Sequence, residues 1–319
     1  MRVLAIGGSG FIGQRVAEVL GEAGHEVWSL SRHPSEGRHI VADRESPADF
    51  AAAVRGRNFD AVVDLAAYHP RDVTRAVDLF SDHIIRYIFI SSGVVHRDLH
   101  GISATEDDVL IPRGDPPDEP LGYILGKRWC EAVLARARSE GFPGVSIRPA
   151  AVIGAGDPTG RVVAYLARIE DGGPLLVPGG LFDRGIGVVW NRDIGGVCAR
   201  VLEVEPPSGA YNVAFPDLSI RRFAAEAAAA LGASPPQLAD VGEEALRNAG
   251  LKLGEVSPYG PYRERSSGYD LSRLRSELGV EPSPLGMALQ DVVDWYRNDR
   301  PEAPGYGSRK AELELARRG

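Results

Sequence analysis

This sequence predicts an α/β fold with a doubly wound parallel sheet and a smaller C-terminal domain, and three observations predict it. Short runs rich in Val and Ile alternate with amphipathic stretches through the first half of the chain. A glycine-rich turn follows the first of those runs directly. The second half has more Pro and Gly and loses the alternation, as expected of a region packed over the strand ends.

The apolar runs cover residues 3–6, 27–30, 61–65, 87–91 and 145–148. Runs this short and this apolar suit parallel strands buried on both faces. Between them the 3.6-residue period predicts helices over 11–23, 47–54, 70–81 and 121–139. Strand alternating with helix is the pattern of a parallel sheet covered by helices. A short extra strand, 39–42, precedes Asp43. The expected division is a dinucleotide-binding domain over 1–155, with 185–204 returning to it, and a mainly substrate-binding domain over 156–300. Helices are expected there at 192–204, 219–231 and 287–296. Residues 301–308 read as a linker. The charged helix 309–318 then reads as a frayed, solvated end, with an oligomer contact as the alternative.

Composition bounds the function. The chain has 319 residues and a net charge of −8, which disfavours a polyanionic partner such as nucleic acid. Its two cysteines, Cys130 and Cys198, make neither a disulfide framework nor a metal knuckle. The N-terminus lacks a long apolar segment, and no run approaches the ~18 residues of a membrane span. The reading is a soluble, cytoplasmic protein.

The glycine turn is Gly7-Gly8-Ser9-Gly10-Phe11-Ile12-Gly13. Between a first strand and a first helix, its three spaced glycines have separate tasks. Gly7 allows the tight turn, Gly10 lets backbone approach a pyrophosphate, and Gly13 lets helix and sheet pack closely. The helix N-terminus then offers free N–H groups to the phosphates. The end of the second run selects the nucleotide. An acidic residue there would bind the ribose 2′-OH of NAD; this chain has Arg32, which leans toward the 2′-phosphate of NADP. The alternative is that Arg32 stacks on adenine or faces solvent while NAD binds. Asp43 is a candidate acceptor for the adenine amino group, or a turn cap.

Tyr123 and Lys127 lie four residues apart in a helical pattern and so share a face. A cation beside the phenol favours the phenolate, which suits a proton carrier for hydride transfer at an alcohol carbon. Ser91 and Ser92 end the fifth run, at a strand C-terminus where α/β sites form. A serine there can hold the reacting oxygen. His96 and His100 lack a third ligand, so no metal is expected. Gly122 to Lys127 is one residue short of a phosphate-binding loop, and there is no nucleophile elbow.

Together these residues resemble the extended short-chain dehydrogenase/reductases, the NAD-dependent epimerase/dehydratase group. The matching pieces are the Gly7-x-x-Gly10-x-x-Gly13 loop, Leu65-Ala66-Ala67, Ile90-Ser91-Ser92 and Tyr123-x-x-x-Lys127-x-x-x-Glu131. Arg148-Pro149-x-x-Val152-x-Gly154 and the ending Tyr269-Asp270-Leu271-Ser272-x-x-Arg275-x-x-Leu278-Gly279 complete the pattern, which reaches about residue 297. Segments 42–44 and 154–161 look most like a divergent branch of epimerase-like proteins and plant organellar proteins described as RNA-associated.

The resemblance implies a Rossmann fold and a homodimer. It implies that Tyr123 is the acid/base, that Lys127 tunes it and binds the nicotinamide ribose, and that Ser92 holds the substrate hydroxyl. Phe11, Ile12, Arg44, Leu65, Ala66, Ala67 and Ser91 would join the glycine loop, Arg32 and Asp43 around the cofactor, with Pro149 and Val152 flanking the nicotinamide. Gly93, Val94 and His96 would face the substrate. Apart from the resemblance, Arg161, Arg184 and Arg263 are candidates to bind a diphosphate or carboxylate there, most arginines being solvated, and the two-aromatic loop 259–262 is a candidate lid. The 4,6-dehydratases similar to this chain carry Asp-Glu where it has Gly93-Val94, which argues against elimination. His96 stands in place of a usual Tyr, and Asn191 where Val is common. The expected activity is NAD(P)-dependent oxidoreduction or epimerisation at a secondary carbinol of a sugar nucleotide or polyol. The alternatives are an NADPH-dependent ketoreductase and a non-catalytic nucleotide-binding or RNA-associated scaffold.

Overall fold

A computed structural model describes residues 1–96, 103–109, 111–117, 119–205, 209–258 and 268–317. Its elements in chain order begin β1 (Arg2–Ile6), α1 (Phe11–Glu22), β2 (Glu26–Ser31), β3 (His39–Val41), α2 (Pro47–Val54), β4 (Ala61–Asp64), α3 (Pro70–Phe80) and β5 (Arg86–Ile90). After the short strand β6 (Ser103–Ala104) come α4 (Tyr123–Ser139), β7 (Gly144–Pro149), β8 (Ala151–Ile153), α5 (Arg161–Glu170), β9 (Leu175–Pro178) and β10 (Val188–Trp190). The chain continues through α6 (Asn191–Glu203), β11 (Ala210–Val213), α7 (Ile220–Leu231), β12 (Leu238–Val241), α8 (Glu243–Asn248) and α9 (Leu253–Val256). It ends with β13 (Gly268–Tyr269), α10 (Ser272–Leu278), α11 (Leu285–Asp299) and α12 (Arg309–Ala316).

The main sheet has seven strands in the order β11-β7-β5-β4-β1-β2-β3. Every pairing is parallel, so the fold is the doubly wound sheet expected. β4, β5 and β7 are buried along their whole length, because helices cover both faces. One face carries a core of Val16, Leu20, Val63, Ile88, Ile147, Val197 and Leu274, drawn from α1, α6, α10 and the sheet. The other carries Phe50, Val73, Ala76, Phe89 and Leu134, from α2, α3, α4 and the sheet. Local chemistry sets the helix starts. Ser46 accepts from the Asp49 N–H ahead of Pro47, and Pro70 opens α3 with no N–H to waste. The strand order reverses between β1 and β4, where α/β folds leave a crevice at the strand C-termini.

Residues 185–204 return to this unit only in part. α6 packs on α1, but β10 pairs with β8 in a separate two-stranded ladder. The edge strand comes from further on: β11 pairs with β7. Its Tyr211 and Asn212 interrupt the aliphatic pattern that marks the other buried strands, so periodicity alone misses it. Helices α5, α7 and α11 with β9 build a further core of Tyr165, Leu166, Leu175, Phe223, Ala227 and Leu289. No helix among the described residues is long and apolar enough to cross a membrane.

The C-terminal tail is not a frayed end. Glu312 is wholly buried and takes a two-pronged contact from Arg168 of α5, at 2.9 Å to Nε and 2.6 Å to the terminal nitrogen. Arg309 grips Asp171 at 2.7 and 2.9 Å and Glu312 at 3.0 Å. Pro304 sits against Gly160, leaving no room for a Cβ there. A charged helix reads as solvated when its partners lie far off in sequence, which is why the docking is invisible in the local pattern. Removing one partner of a sealed ion pair strands the other, at about 3–5 kcal/mol. Glu312→Ala is therefore expected to lower stability by about that amount in urea unfolding; a change under about 1 kcal/mol would show that the tail does not hold the fold.

Candidate functional site

Two hollows meet at the C-terminal ends of β1, β4 and β5. The first is a groove of about 480 Å³ lined by Gly7, Gly10, Phe11, Ile12, Gly13, Leu30, Arg32, His33, Asp43, Arg44, Leu65 and Ala66. Its floor is the glycine turn. Gly7 has φ +83°, and a Cβ on Gly13 would stand 2.2 Å from the Gly7 carbonyl oxygen. The Gly10 cap of α1 has no side-chain partner, and the first turn holds no acidic residue. Uncapped N–H groups at a helix start are an anion site, so the groove fits a dinucleotide pyrophosphate.

The second hollow is a cavity of about 380 Å³, bounded by Ser92, Gly93, Val94, His96, Tyr123, Lys127, Pro149, Val152, Arg161, Ile186 and Tyr269. Phe11, Ile12, Leu65, Tyr68 and Ile90 border both. Tyr123 opens α4 and is half exposed. Lys127, one turn on, is 2% exposed and donates to the Ala67 and Ile90 carbonyls, each at 2.8 Å. Its ammonium lies 4.6 Å from the Tyr68 ring centre, 4.8 Å from Phe89 and 6.0 Å from Tyr123. The helix can come this close because Gly126 faces the Tyr68 carbonyl, where a Cβ would stand 2.3 Å away.

The two serines separate cleanly. Ser91 is buried and donates to Glu131 at 2.5 Å. Glu131 in turn holds Arg148 through Nε at 3.0 Å and a terminal nitrogen at 2.5 Å. Ser92 is half buried, and among the described residues its hydroxyl accepts only a long 3.4 Å contact from the Val94 N–H. Of the pair, Ser92 is the hydroxyl offered to the cavity.

Other expected residues stand differently. Arg44 borders the groove, but its guanidinium is spent on Asp64 at 2.5 Å and on the Asp72 carbonyl at 3.0 Å. Asp64 also accepts from the Tyr87 hydroxyl at 2.7 Å. Asp43 caps its own turn, accepting from the Glu45 N–H at 2.9 Å. Ala67 is fully buried and contributes its carbonyl to Lys127. Arg184 does not line the cavity, though its neighbour Gly185 does. His96 is buried and its Nε2 meets the Asn212 amide oxygen at 2.9 Å; burial holds the imidazole below its ordinary range. Asn191 packs against Gly154 and reaches the Phe11 carbonyl at 3.5 Å. Arg263, His100 and residues 259–262 lie outside the described residues. Tyr68 and Tyr269 carry no expected role yet border the cavity. The first directly follows Leu65-Ala66-Ala67, and that adjacency was its one available signal.

Burial pushes the Lys127 ammonium down to about 8. The chain has only three lysines, Lys127, Lys252 and Lys310, so side-chain NMR of labelled lysine can follow each. In cofactor-free protein one resonance is expected to titrate near 8, cationic below and neutral above, and to vanish in Lys127→Met. Three lysines all titrating near 10.4 would contradict the placement.

The NAD dependent epimerase/dehydratase family model matches residues 3–214. A curated relative, dTDP-4-dehydro-6-deoxy-D-allose reductase from a Streptomyces species, is 25% identical over 92% of this chain and 96% of its own. UDP-N-acetylglucosamine 4-epimerase from Bacillus cereus superposes with a TM-score of 0.71 at 19% identity, covering 94% of this chain and 100% of the other. UDP-glucuronic acid 4-epimerase from Bacillus cereus, solved with NAD, superposes with a TM-score of 0.69 at 16% identity over the same shares. With its glycine groove and paired hollows, the chain belongs to the NAD dependent epimerase/dehydratase family, among the extended short-chain dehydrogenase/reductases, and is an NAD(P)-dependent enzyme.

Proposed function

We propose that this enzyme carries out reversible oxidoreduction at a secondary carbinol carbon of a sugar nucleotide or related polyol, with Tyr123 as the acid/base. One observation carries this reading: Tyr123, Lys127 and Ser92 converge where the glycine groove opens into the cavity. When bound, the nicotinamide supplies the hydride acceptor or donor. The chain's own residues do the rest. The glycine loop and the start of α1 hold the pyrophosphate, and Pro149 and Val152 flank the far end. Lys127 is fixed by two carbonyls and keeps one N–H for the nicotinamide ribose. Its charge favours the Tyr123 phenolate, which takes the proton from the substrate hydroxyl and returns it to a ketone oxygen. Ser92 orients that oxygen with a hydrogen bond.

Two forms of this chemistry fit the site. Epimerisation is supported by the family. Net NADPH-dependent ketone reduction is supported by exposed Arg32 and His33 at the ribose end of the groove, and by the curated relative being a reductase. Arg32 favours NADP for the same reason. Elimination of the 4,6-dehydratase kind is disfavoured, since Gly93 and Val94 bring no acid or base to the cavity wall.

Tyr123→Phe is expected to lower turnover by about 10²-fold or more, while NADPH binding followed by fluorescence is retained. Suitable probes are dTDP-4-dehydro-6-deoxy-D-allose with NADPH and UDP-glucuronic acid with NAD. Turnover at the wild-type rate would remove Tyr123 from the mechanism.

A further inference from the structure

Besides Tyr123, the cavity is bordered by Tyr68, whose ring faces the Lys127 ammonium, and by Tyr269, which the chemistry above does not use. Tyr269 arrives on β13, which is pinned to β6 by parallel pairing. Asn212 holds the same segment from the main sheet, donating to the Ala104 carbonyl at 2.9 Å and the Asp270 carbonyl at 3.5 Å. The Tyr269 ring then enters a slot made by two absent side chains. A Cβ on Gly187 would lie 2.4 Å from its ring edge, and a Cβ on Gly93 would lie 2.4 Å from its hydroxyl oxygen. The His96 ring meets it edge-on at 5.9 Å. The phenol oxygen therefore occupies the place where a side chain on residue 93 would project. That place is one residue from Ser92, and neighbouring Cα atoms are about 3.8 Å apart.

We infer that the Tyr269 hydroxyl is a specificity-determining group that hydrogen-bonds a substrate oxygen on the carbon next to the one being oxidised or reduced. The inference rests on the oxidoreductase reading and narrows it. If Ser92 holds the reacting oxygen, a group beside it falls next to the neighbouring oxygen of a sugar. The preferred substrate is then a vicinal diol or α-hydroxy ketone rather than an isolated secondary alcohol or simple ketone. Gly93 and Gly187 acquire a reason: any side chain at either position would push the ring out of the slot. Two phenols with separate tasks follow. Tyr123 exchanges the proton, and Tyr269 recognises the oxygen beside it.

The test uses the holoenzyme with NADPH and two substrates, dTDP-4-dehydro-6-deoxy-D-allose and its 3-deoxy counterpart. Tyr269→Phe keeps the ring and removes only the hydroxyl. It is expected to cost about tenfold in kcat/KM on the hydroxylated sugar, mostly through KM, with NADPH affinity held. On the 3-deoxy sugar the penalty should shrink to about twofold or less. Gly93→Ala, whose methyl collides with the phenol, should reproduce the same substrate-dependent loss. An active wild type with Tyr269→Phe unchanged on the hydroxylated sugar, or equally impaired on both, overturns this inference alone. A wild type that binds NADPH but turns over no sugar nucleotide overturns the oxidoreductase reading and this inference with it.

Discussion

A carboxylate and a guanidinium sealed from water organise the site. Glu131 of α4 and Arg148 of β7 are 4% and 3% exposed, and neither charge could be buried alone without a cost of several kcal/mol. Each remaining polar atom of the pair is used to fix another segment. Glu131 takes the Ser91 hydroxyl, and Arg148 reaches the Glu106 carbonyl at 2.7 Å. The Glu106 carboxylate then accepts from the Asn212 N–H at 2.9 Å, and Asn212 fixes His96 and the β13 segment. One buried pair thus sets the turn after β5, the wall of the cavity and the approach of Tyr269.

Lys127 sits one turn before Glu131 on the same helix and uses the same logic with the opposite outcome. Among the described residues its charge has no carboxylate partner within hydrogen-bond reach. Two carbonyls and two aromatic faces surround it instead. This leaves the ammonium under-compensated and its proton weakly held. The Glu131 charge is matched in place by Arg148 and the Lys127 charge is not, although one four-residue spacing places both.

The glycine loop, the Tyr123–Lys127 pair and the serine turn were legible in the sequence because each depends on contiguous residues. Strand-to-helix order fixes where Gly7 and Gly13 must lie, and helical spacing fixes that Tyr123 and Lys127 share a face. What escaped depends on contacts between distant segments. Arg44 looked available to a nucleotide because nothing local reveals Asp64 beneath it. Arg309 and Glu312 looked solvated because Arg168 and Asp171 lie far off in sequence. Tyr269 was visible only as part of a closing motif, since its slot is cut by Gly93 and Gly187, which no periodicity connects to it. Strand β11 was hidden by Tyr211 and Asn212, polar atoms that the fold satisfies with Glu277 and with the β6 segment.

The proposed chemistry requires a nicotinamide dinucleotide lying in the glycine groove with its reactive end beside Tyr123 and Lys127. The most direct measurement is to denature the purified enzyme, identify any released nucleotide by mass spectrometry, and titrate emptied protein with NADPH and NADH. Tightly held oxidised cofactor is the result expected of an epimerase that recycles it within the site. Reversible binding with a preference for NADPH is the result expected of a reductase selected by Arg32. No released nucleotide and no binding of either form would contradict the account.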